Sequence, residues 1–434
     1  METTVVRTTL TRSSWHGLTL SIIVAGLLSL IMVGAFAESH SDEDNYDPIA
    51  LFLTWQSDPL TTMIIDWHAE EEQDRELHFR RDDQTDWQET SAETIEFPYS
   101  NRTIYRVELT GLLPGTRYAF RFGEDSVEYA FRTMPENALE PVRFAVGGDT
   151  RHRQDWMEAT NKQAQQLDVD FIVWGGDLAY ADGREDRVYR WYEWFDAIKN
   201  TLITDDGRVI PVLVGIGNHE VRGGYYYNHD EYEQTDAWRE NLAPYFYALF
   251  AWPGQPGYGV MDFGNYLSIV MGDTDHSNPV EGVQTEWWNT VLAERRHVPH
   301  VFPVYHVAAY PSVRSFDGGV QTRIREHWAP LFEEHGIQIV FENHDHTYKR
   351  TPPIRNGEIH EEGIVYLGDG TWGVDPRNPY DAEEVWYLAK TRSVHHLILV
   401  TIQGNHQHFA AVDSTGKIFD AYPHPGNAFF ELTP

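Results

Sequence analysis

The feature that most constrains the fold is a series of short apolar runs, each followed by a loop rich in Gly, Asp, Asn or His. Three of these loops read Gly147-Gly148-Asp149-Thr150-Arg151, Gly175-Gly176-Asp177-Leu178-Ala179-Tyr180 and Gly217-Asn218-His219-Glu220. Two later runs lead into His306 and into Asn343-His344-Asp345-His346. Apolar strands that alternate with helices are typical of an α/β core, whose ligands bind at the carboxyl ends of the strands. We therefore expect these polar loops to meet at one edge of such a core.

The periodicity assigns this core to residues 141–424. Strands are predicted at Val142–Gly147, Phe171–Gly175, Ile210–Gly215, Leu267–Gly272, Val301–Tyr305 and Gln338–Phe341. Helices are predicted at Gln154–Leu167, Val188–Asn200, Gln284–Glu294 and Arg323–His335.

The segment before the core has a different pattern. Apolar and polar residues alternate around Leu51–Trp55 and Met63–Trp67, as expected of half-buried antiparallel strands. Tyr118 follows a Leu-Leu-Pro-Gly-Thr corner and resembles the tyrosine corner of fibronectin type III-like sandwiches. Residues 46–133 are therefore predicted to form a small all-β sandwich, and a segment with a proline at either end, 133–141, is predicted to link it to the core.

The N-terminus resembles an export signal. Arg7 and Arg12 precede an apolar run from Gly17 to Ala37 that ends in Ala-Phe-Ala, a typical cleavage site. The run is also about 20 residues long, enough to span a bilayer as one helix. We expect residues 1–37 to be a signal peptide or a retained membrane anchor, and the protein to be secreted, periplasmic or displayed at the cell surface.

Charge and composition exclude several classes of function. The chain has a net charge of −34 and no Cys. Such a charge repels phosphate backbones and anionic lipid, so neither nucleic-acid binding nor membrane docking is expected, unless residues 17–37 remain as an anchor. Without Cys there is neither a disulfide framework nor a thiolate metal site. Any phosphorylated substrate would need local positive charge, and a bound metal is the obvious source.

The donor types in the polar loops fit a hard-metal site. A single Asp after a strand is usually a helix cap or turn former, but so many together are hard to explain that way. Carboxylate, imidazole, amide and phenolate groups suit Fe, Mn or Zn. One shared carboxylate can bridge two ions, as in centres that promote in-line attack on phosphorus.

This order of motifs resembles the metallophosphoesterase (calcineurin-like) superfamily, and Tyr180 points to its purple acid phosphatase-like branch. The resemblance implies a two-sheet β-sandwich flanked by helices, a four-layer αββα core, after a fibronectin type III-like domain. It implies one metal held by Asp149, Asp177, Tyr180 and His346, and a second held by Asp177, Asn218, His306 and His344. His219 would contact the substrate phosphate.

Three positions depart from the family pattern. Arg151 stands where purple acid phosphatases have Gly, and it either reaches the phosphate as a bidentate donor or pairs with surface carboxylates. Asn343 and Pro303 stand where Gly and Val are usual. None of the three changes removes an implied ligand.

The function implied is hydrolysis of small phosphomonoesters by in-line attack of a metal-bound hydroxide. His219 and, in one alternative, Arg151 would assist as catalytic residues. The resemblance implies two metal ions, Fe(III) with Fe(II), Zn(II) or Mn(II). Alternatives are a phosphodiesterase on the same core and a non-catalytic, metal-stabilised surface protein. Tyr180 could also be an ordinary packed aromatic residue. The sequence does not indicate the physiological ester or the oligomeric state.

Other polar and aromatic segments have less specific interpretations. The aromatic stretch Gly223–Pro253 either walls the substrate pocket or packs as a surface insertion, and His229 within it is interpreted as an exposed polar residue. The segment from Asp273 to His276 is predicted to be a structural loop, and His395 and His396 are predicted to pack or to support the site.

Overall fold

The computed structural model describes residues 46–70, 76–222 and 233–423, which belong to one compact unit. The predicted signal or anchor at residues 1–37, Tyr225, Tyr226, Tyr227 and His229 lie outside the described residues. Among the described helices, none combines the length and the apolar character needed to cross a bilayer.

The first part of the chain forms two antiparallel four-stranded sheets. Their strands are β1 (Ala50–Thr54), β2 (Met63–Ala69), β3 (Leu77–Arg81), β4 (Gln88–Thr90), β5 (Glu93–Glu96), β6 (Thr103–Leu109), β7 (Arg117–Phe122) and β8 (Tyr129–Arg132). The sheet orders are β1-β2-β6-β5 and β4-β3-β7-β8. The backbone N–H of Leu113 donates to the hydroxyl of Tyr118 at 2.8 Å, which is the contact expected of a tyrosine corner. The predicted all-β sandwich is confirmed.

Two strands of this sandwich are more buried than the alternation predicted. Every residue of β1 and β2 is buried, including Asp66 and His68. The second face of these strands is covered because the ring of Phe195, far along the chain, lies 5.3 Å from Phe52 and 4.5 Å from His68. The sandwich therefore shares a hydrophobic interior with the core that follows it.

The core consists of two larger sheets and their helices. The strands are β9 (Val142–Gly147), β10 (Phe171–Trp174), β11 (Val212–Val214), β12 (Gly259–Phe263), β13 (Leu267–Met271), β14 (His300–Val307), β15 (Ile339–Asn343), β16 (Tyr348–Arg350), β17 (Ile354–Arg355), β18 (Glu358–Ile359), β19 (Val365–Gly368), β20 (Lys390–Arg392), β21 (His396–Gln403), β22 (His406–Asp413) and β23 (Ile418–Tyr422). The helices are α1 (Gln154–Gln166), α2 (Tyr189–Thr201), α3 (Asp236–Leu242), α4 (Pro244–Leu249), α5 (Val283–Glu294), α6 (Gly319–His327) and α7 (Ala329–Glu334), with a 3-10 turn at Glu185–Arg187.

The two sheets pack face to face. Their orders are β11-β10-β9-β21-β22-β23 and β12-β13-β14-β15-β19-β16-β20, with β17 and β18 forming a separate two-stranded pair. Phe302 of the second sheet lies 6.0 Å from Phe144 and 5.8 Å from Phe409 of the first. Helices α1 and α2 cover the outer face of the first sheet, and α5 to α7 cover that of the second. The predicted αββα core is confirmed.

One predicted helix is divided in the structure. The segment predicted as a single helix, Arg323–His335, forms the end of α6 and all of α7, with Trp328 between them. Pro330 lies in the first turn of α7, where its missing N–H is tolerated, whereas inside a continuous helix it would remove a hydrogen bond.

The connectivity brings the polar loops to one edge. Strands β9, β10 and β11 run parallel in the first sheet, and β13, β14 and β15 run parallel in the second. The loops that carry the motifs leave these strands at their carboxyl ends, which is where parallel sheets place their ligands.

Candidate metal centre

The candidate ligands occupy a backbone conformation that most residues avoid. Asp149, Asp177, Tyr180, His344 and His346 have φ values of 54°, 55°, 58°, 80° and 59°. A positive φ is uncommon outside glycine and is concentrated at functional sites, because the surrounding structure must hold it in place. The loops are therefore built to present these side chains inward, at a conformational cost to the fold.

Two glycines allow the carboxylates to approach the backbone. A Cβ at Gly217 would lie 2.4 Å from Oδ1 of Asp177, and one at Gly370 would lie 1.8 Å from Oδ2 of Asp149. Both distances are too short for a real Cβ contact, so the loops can approach each other this closely only with glycine at these positions. Gly370 follows strand β19 and lies outside the motif loops named above.

The first group of donors lies at the ends of β9, β10 and β15. Nε2 of His346 is 3.0 Å from Oδ1 of Asp149. The Tyr180 hydroxyl donates to the same carboxylate oxygen at 3.1 Å and is 3.3 Å from Nε2 of His346. The phenol thus reaches the same point as the carboxylate and the imidazole, which an aromatic residue in simple packing need not do.

The second group centres on His306 of β14. Its Nε2 lies 3.1 Å from Oδ2 of Asp177, 3.2 Å from Oδ1 of Asn218 and 3.0 Å from Nδ1 of His344. Asp177, His306 and His344 could together hold one metal ion, and Asp149, Asp177 and His346 could hold another. Asp177 belongs to both groups.

The donors fit metal binding in both spacing and chemistry. Bonds of about 2.1 Å from O or N to a metal place neighbouring ligand atoms about 3.0 to 3.4 Å apart, which matches the separations above. Both groups are buried, and they combine carboxylate, imidazole, amide and phenol groups without thiolate, a set suited to Fe, Mn or Zn. The structure thus brings together all the ligands that the resemblance implied.

The electrostatics of the groups favour added positive charge. Burial alone would lower the pKa of His306, but the carboxylates of Asp177 and Asp149 raise it to about 9. Burial, reinforced by the same two carboxylates, raises the pKa of Tyr180 well above its ordinary value. Without a cation, the His306 imidazole and the Tyr180 phenol both keep a proton, because the nearby carboxylates disfavour further negative charge.

A buried carboxylate that sequence analysis quoted but gave no role supports the bridging position. Glu220 accepts the backbone N–H groups of Gly217, Asp177 and Leu178 at 2.7, 2.8 and 2.8 Å. Burial and the Asp177 carboxylate raise the pKa of Glu220 to about 7. It joins the second and third motif loops and so fixes where Asp177 sits.

His219 lies beside the first group, with its ring centroid 4.2 Å from that of Tyr180. Its backbone N–H donates to Oδ1 of Asp177 at 2.8 Å, and its Nδ1 lies 2.5 Å from Oδ1 of Asp182. The side chain is 29% exposed, unlike the buried donors. A carboxylate therefore orients an imidazole at the mouth of the centre, and sequence analysis had not identified Asp182.

Arg151 is paired with a carboxylate rather than turned toward the donor groups. Its guanidinium is hydrogen-bonded to Glu193 of α2, whose side chain is 42% exposed. This is the second of the two arrangements that the sequence left open. Phosphate binding by Arg151 would require this ion pair to break.

The two other departures from the family pattern do not disturb the donors. Nδ2 of Asn343 donates to the carbonyl of Tyr305 at 3.0 Å, and its amide fills the space beside Gly148 and Gly175. Pro303 lies within β14, three residues before His306, and pairs in register with Val270 of β13.

The remaining segments have structural surroundings. Asp273 accepts the backbone N–H groups of His276 and Ser277 at 2.8 Å each, so the loop from 273 closes on itself. Of the described aromatic residues of the insertion, four are buried, Tyr245, Phe246, Phe250 and Trp252, and two are partly buried, Trp238 and Tyr247. Nε2 of His395 lies 2.7 Å from the carbonyl of Val374, and His396 is buried beside Tyr348.

Comparison with known proteins is consistent with this geometry. The family model described as "Purple acid Phosphatase, N-terminal domain" matches residues 48–133, and that described as "Calcineurin-like phosphoesterase" matches residues 142–348. Purple acid phosphatase 21 of Arabidopsis thaliana is 27% identical over 281 residues, covering 63% of this chain and 60% of that protein. Purple acid phosphatase 18 of the same plant is 26% identical over 314 residues, covering 71% and 67%.

The match thus spans 60% of the length of the first of these relatives. Among solved structures, "GAP50 the anchor in the inner membrane complex of Plasmodium" aligns with a TM-score of 0.46 and 14% identity, covering 65% of this chain and 88% of that chain.

Proposed function

The chain belongs to the calcineurin-like metallophosphoesterase superfamily, in its purple acid phosphatase-like branch, and on this premise we propose that it hydrolyses small phosphate monoesters. The observation that carries the proposal is the pair of buried donor groups that share Asp177. A shared carboxylate fits a centre of two closely spaced cations, the arrangement suited to in-line displacement at phosphorus.

We assign the donors to two cations as follows. Asp149, Tyr180 and His346 would hold one, Asn218, His306 and His344 would hold the other, and Asp177 would contribute to both. The separations of 3.0 to 3.3 Å within each set support this division.

Charge explains why the reaction needs the cations. When bound, they lower the pKa of water toward about 7 and hold the phosphate oxygens in line with the attack. The chain has a net charge of −34, and Arg151 is engaged by Glu193. Without cations, the carboxylates of Asp149 and Asp177 would repel a phosphate ester.

His219 is the chain's own group for the ester. Asp182 binds its Nδ1, so Nε2 is the nitrogen left to contact substrate. From that position the imidazole donates a hydrogen bond to a phosphate oxygen or to the leaving group. Asp182 keeps the ring oriented through its contact with Nδ1.

Tyr180 connects the proposal to metal identity. A phenolate bound to ferric iron gives purple acid phosphatases their colour, and we propose Fe(III) in the Tyr180 group with Fe(II), Zn(II) or Mn(II) in the other. The iron-loaded chain is then expected to be violet, and Tyr180→Phe to be colourless with its iron retained. A violet Tyr180→Phe variant would remove Tyr180 from the ligand set.

The deciding experiment combines metal analysis with an ester panel. We expect about two metal ions per chain and faster hydrolysis of mono-nitrophenyl than of bis-nitrophenyl phosphate. Preference for the diester would instead establish a phosphodiesterase, and metal binding without turnover of any ester would contradict the proposal.

Domain limits and export complete the proposal. We propose that residues 46–133 support the core and that residues 141–424 carry the chemistry. We also propose that residues 1–37 direct export. N-terminal sequencing of the exported protein tests this, with Glu38 expected as the first residue, and a protein retained in the cytoplasm would contradict it.

A further inference from the structure

A histidine with no role in the family motifs lies at the mouth of the candidate centre. His152 follows the first motif loop, directly after Arg151. Its ring centroid is 4.6 Å from that of Tyr180 and 5.5 Å from that of His346. Its side chain is 30% exposed, whereas those of the donors Asp149 and His346 are buried. His152 thus lies between solvent and the donor group of Asp149, Tyr180 and His346.

The position of His152 is fixed from two directions. Its backbone N–H donates to the carbonyl of Gly373 at 2.8 Å. Its Nδ1 lies 2.9 Å from Oδ2 of Asp375 and 3.2 Å from the backbone nitrogen of Asp375. Within the ranges 46–70, 76–222 and 233–423, Nε2 of His152 has no hydrogen-bond partner. The ring is therefore held at one nitrogen, and the other is available to a ligand.

The same arrangement occurs at His219. There too, Nδ1 is bound by an aspartate, Asp182, and the ring contacts Tyr180, at 4.2 Å. The exposed fractions of the two side chains are nearly equal, 29% for His219 and 30% for His152. The two histidines come from different loops, so the similarity does not follow from sequence proximity.

We propose that His152, oriented by Asp375, is a second imidazole that contacts the phosphate group of the bound ester. The inference rests on the proposed function, because it adds a substrate contact at the same centre. A phosphate monoester carries more oxygen acceptors than one imidazole can satisfy, and an imidazole N–H is a good donor to an anionic oxygen. Two Asp-oriented histidines beside Tyr180 would hold the ester from two loops.

The test measures the affinity for inorganic phosphate by calorimetry, using the metal-loaded full chain, together with KM and kcat for mono-nitrophenyl phosphate. His152→Ala should weaken phosphate binding at least fivefold and raise KM by a similar factor. It should change kcat less and leave metal content and the Tyr180 absorption unchanged. His152→Gln, which keeps an N–H donor, should recover part of the affinity.

The matched control is His395→Ala. His395 supports the same loop through the carbonyl of Val374 and packs on Trp156, with centroids 4.9 Å apart. This variant should leave phosphate affinity and KM at wild-type values.

The inference is overturned if His152→Ala binds phosphate as tightly as wild type, or if it loses metal. It is also overturned if His395→Ala weakens phosphate binding to the same extent, since His152 would then act through the loop alone. A wild-type chain that binds cations and phosphate but hydrolyses no ester would contradict the proposed function. The phosphate titration would still decide the role of His152.

Discussion

Two fully buried histidines in this chain experience opposite surroundings. His68 of β2 packs between the rings of Phe97 and Phe195, and burial lowers its pKa to about 3. His306 of β14 is equally buried, yet the carboxylates of Asp177 and Asp149 overcome burial and raise its pKa to about 9. In the sandwich, burial disfavours the charged imidazole, whereas at the loop edge of the core two carboxylates stabilise it.

Buried carboxylates show the same contrast. Asp66 in the sandwich is paired with Arg106 at 2.7 Å, and that arginine also donates to the carbonyl of Leu249. Asp177 shares its two donor groups with the Asp149 carboxylate and with the imidazoles of His306, His344 and His346. The sandwich thus pairs its buried carboxylate with an arginine, whereas the donor groups of the core contain two carboxylates without an arginine or a lysine.

The largest expected effect comes from removing the shared carboxylate. Asp177→Asn should release metal from both positions and lower kcat about a thousandfold, which corresponds to about 4 kcal/mol of lost charge stabilisation. Metal analysis and steady-state kinetics measure both. The matched control is Asp66→Asn, which should cost about 3 kcal/mol of folding stability while metal content stays at the wild-type value. Full metal content in Asp177→Asn would contradict its shared role.

The next effect separates contact with the ester from metal binding. His219→Asn should lower kcat about a hundredfold, the scale of a positioned acid or donor, with metal content unchanged. Asp182→Asn should have a smaller effect, because it disturbs only the orientation of the ring. A His219→Asn variant that lost its metal would instead make this residue part of the coordination.

Acid stability sharpens the comparison between the two histidines. In the folded state the pKa of His68 is lowered from 6.5 to about 3. Between these two pH values, therefore, only the unfolded state binds the proton. Stability is therefore lost as pH falls below 6.5, by about 2 kcal/mol at pH 5 from this residue. His68→Phe should flatten the decline between pH 7 and 5 in denaturant titrations. An equally steep decline in this variant would show that His68 is already protonated in the folded chain.

The smallest effect is expected at Arg151. Since its guanidinium is engaged by a partly exposed Glu193, Arg151→Gln should change kcat/KM less than about threefold. A loss above tenfold would mean that the ion pair opens and the guanidinium reaches the ester.

The positions of the donor residues could be predicted from the sequence because strand ends converge whatever the details of the loops. Parallel pairing brings Asp149 near Asp177 at the ends of β9 and β10, and His306 near His344 at the ends of β14 and β15. The face-to-face packing of the two sheets then joins these pairs at one edge. The apolar runs and the residues directly after them encode that arrangement locally.

The supporting carboxylates could not be predicted in the same way. Asp182 and Asp375 reach His219 and His152 only through the paths of irregular loops, and acidic residues are common throughout this chain. Likewise, β2 appears half-buried from its own pattern, because the helix that covers its second face, α2, lies more than a hundred residues later.

The covered face of β1 and β2 has a consequence for modular use of this protein. Cutting the chain in the linker, residues 133–141, would separate Phe52 and His68 from Phe195. An aromatic surface on α2 would then be exposed to water. Such a fragment would be prone to aggregate, so we expect that the α/β core cannot be transplanted alone. Fusion partners should be joined ahead of residue 46, and a foreign sandwich could replace this one only if it reproduced the same aromatic fit.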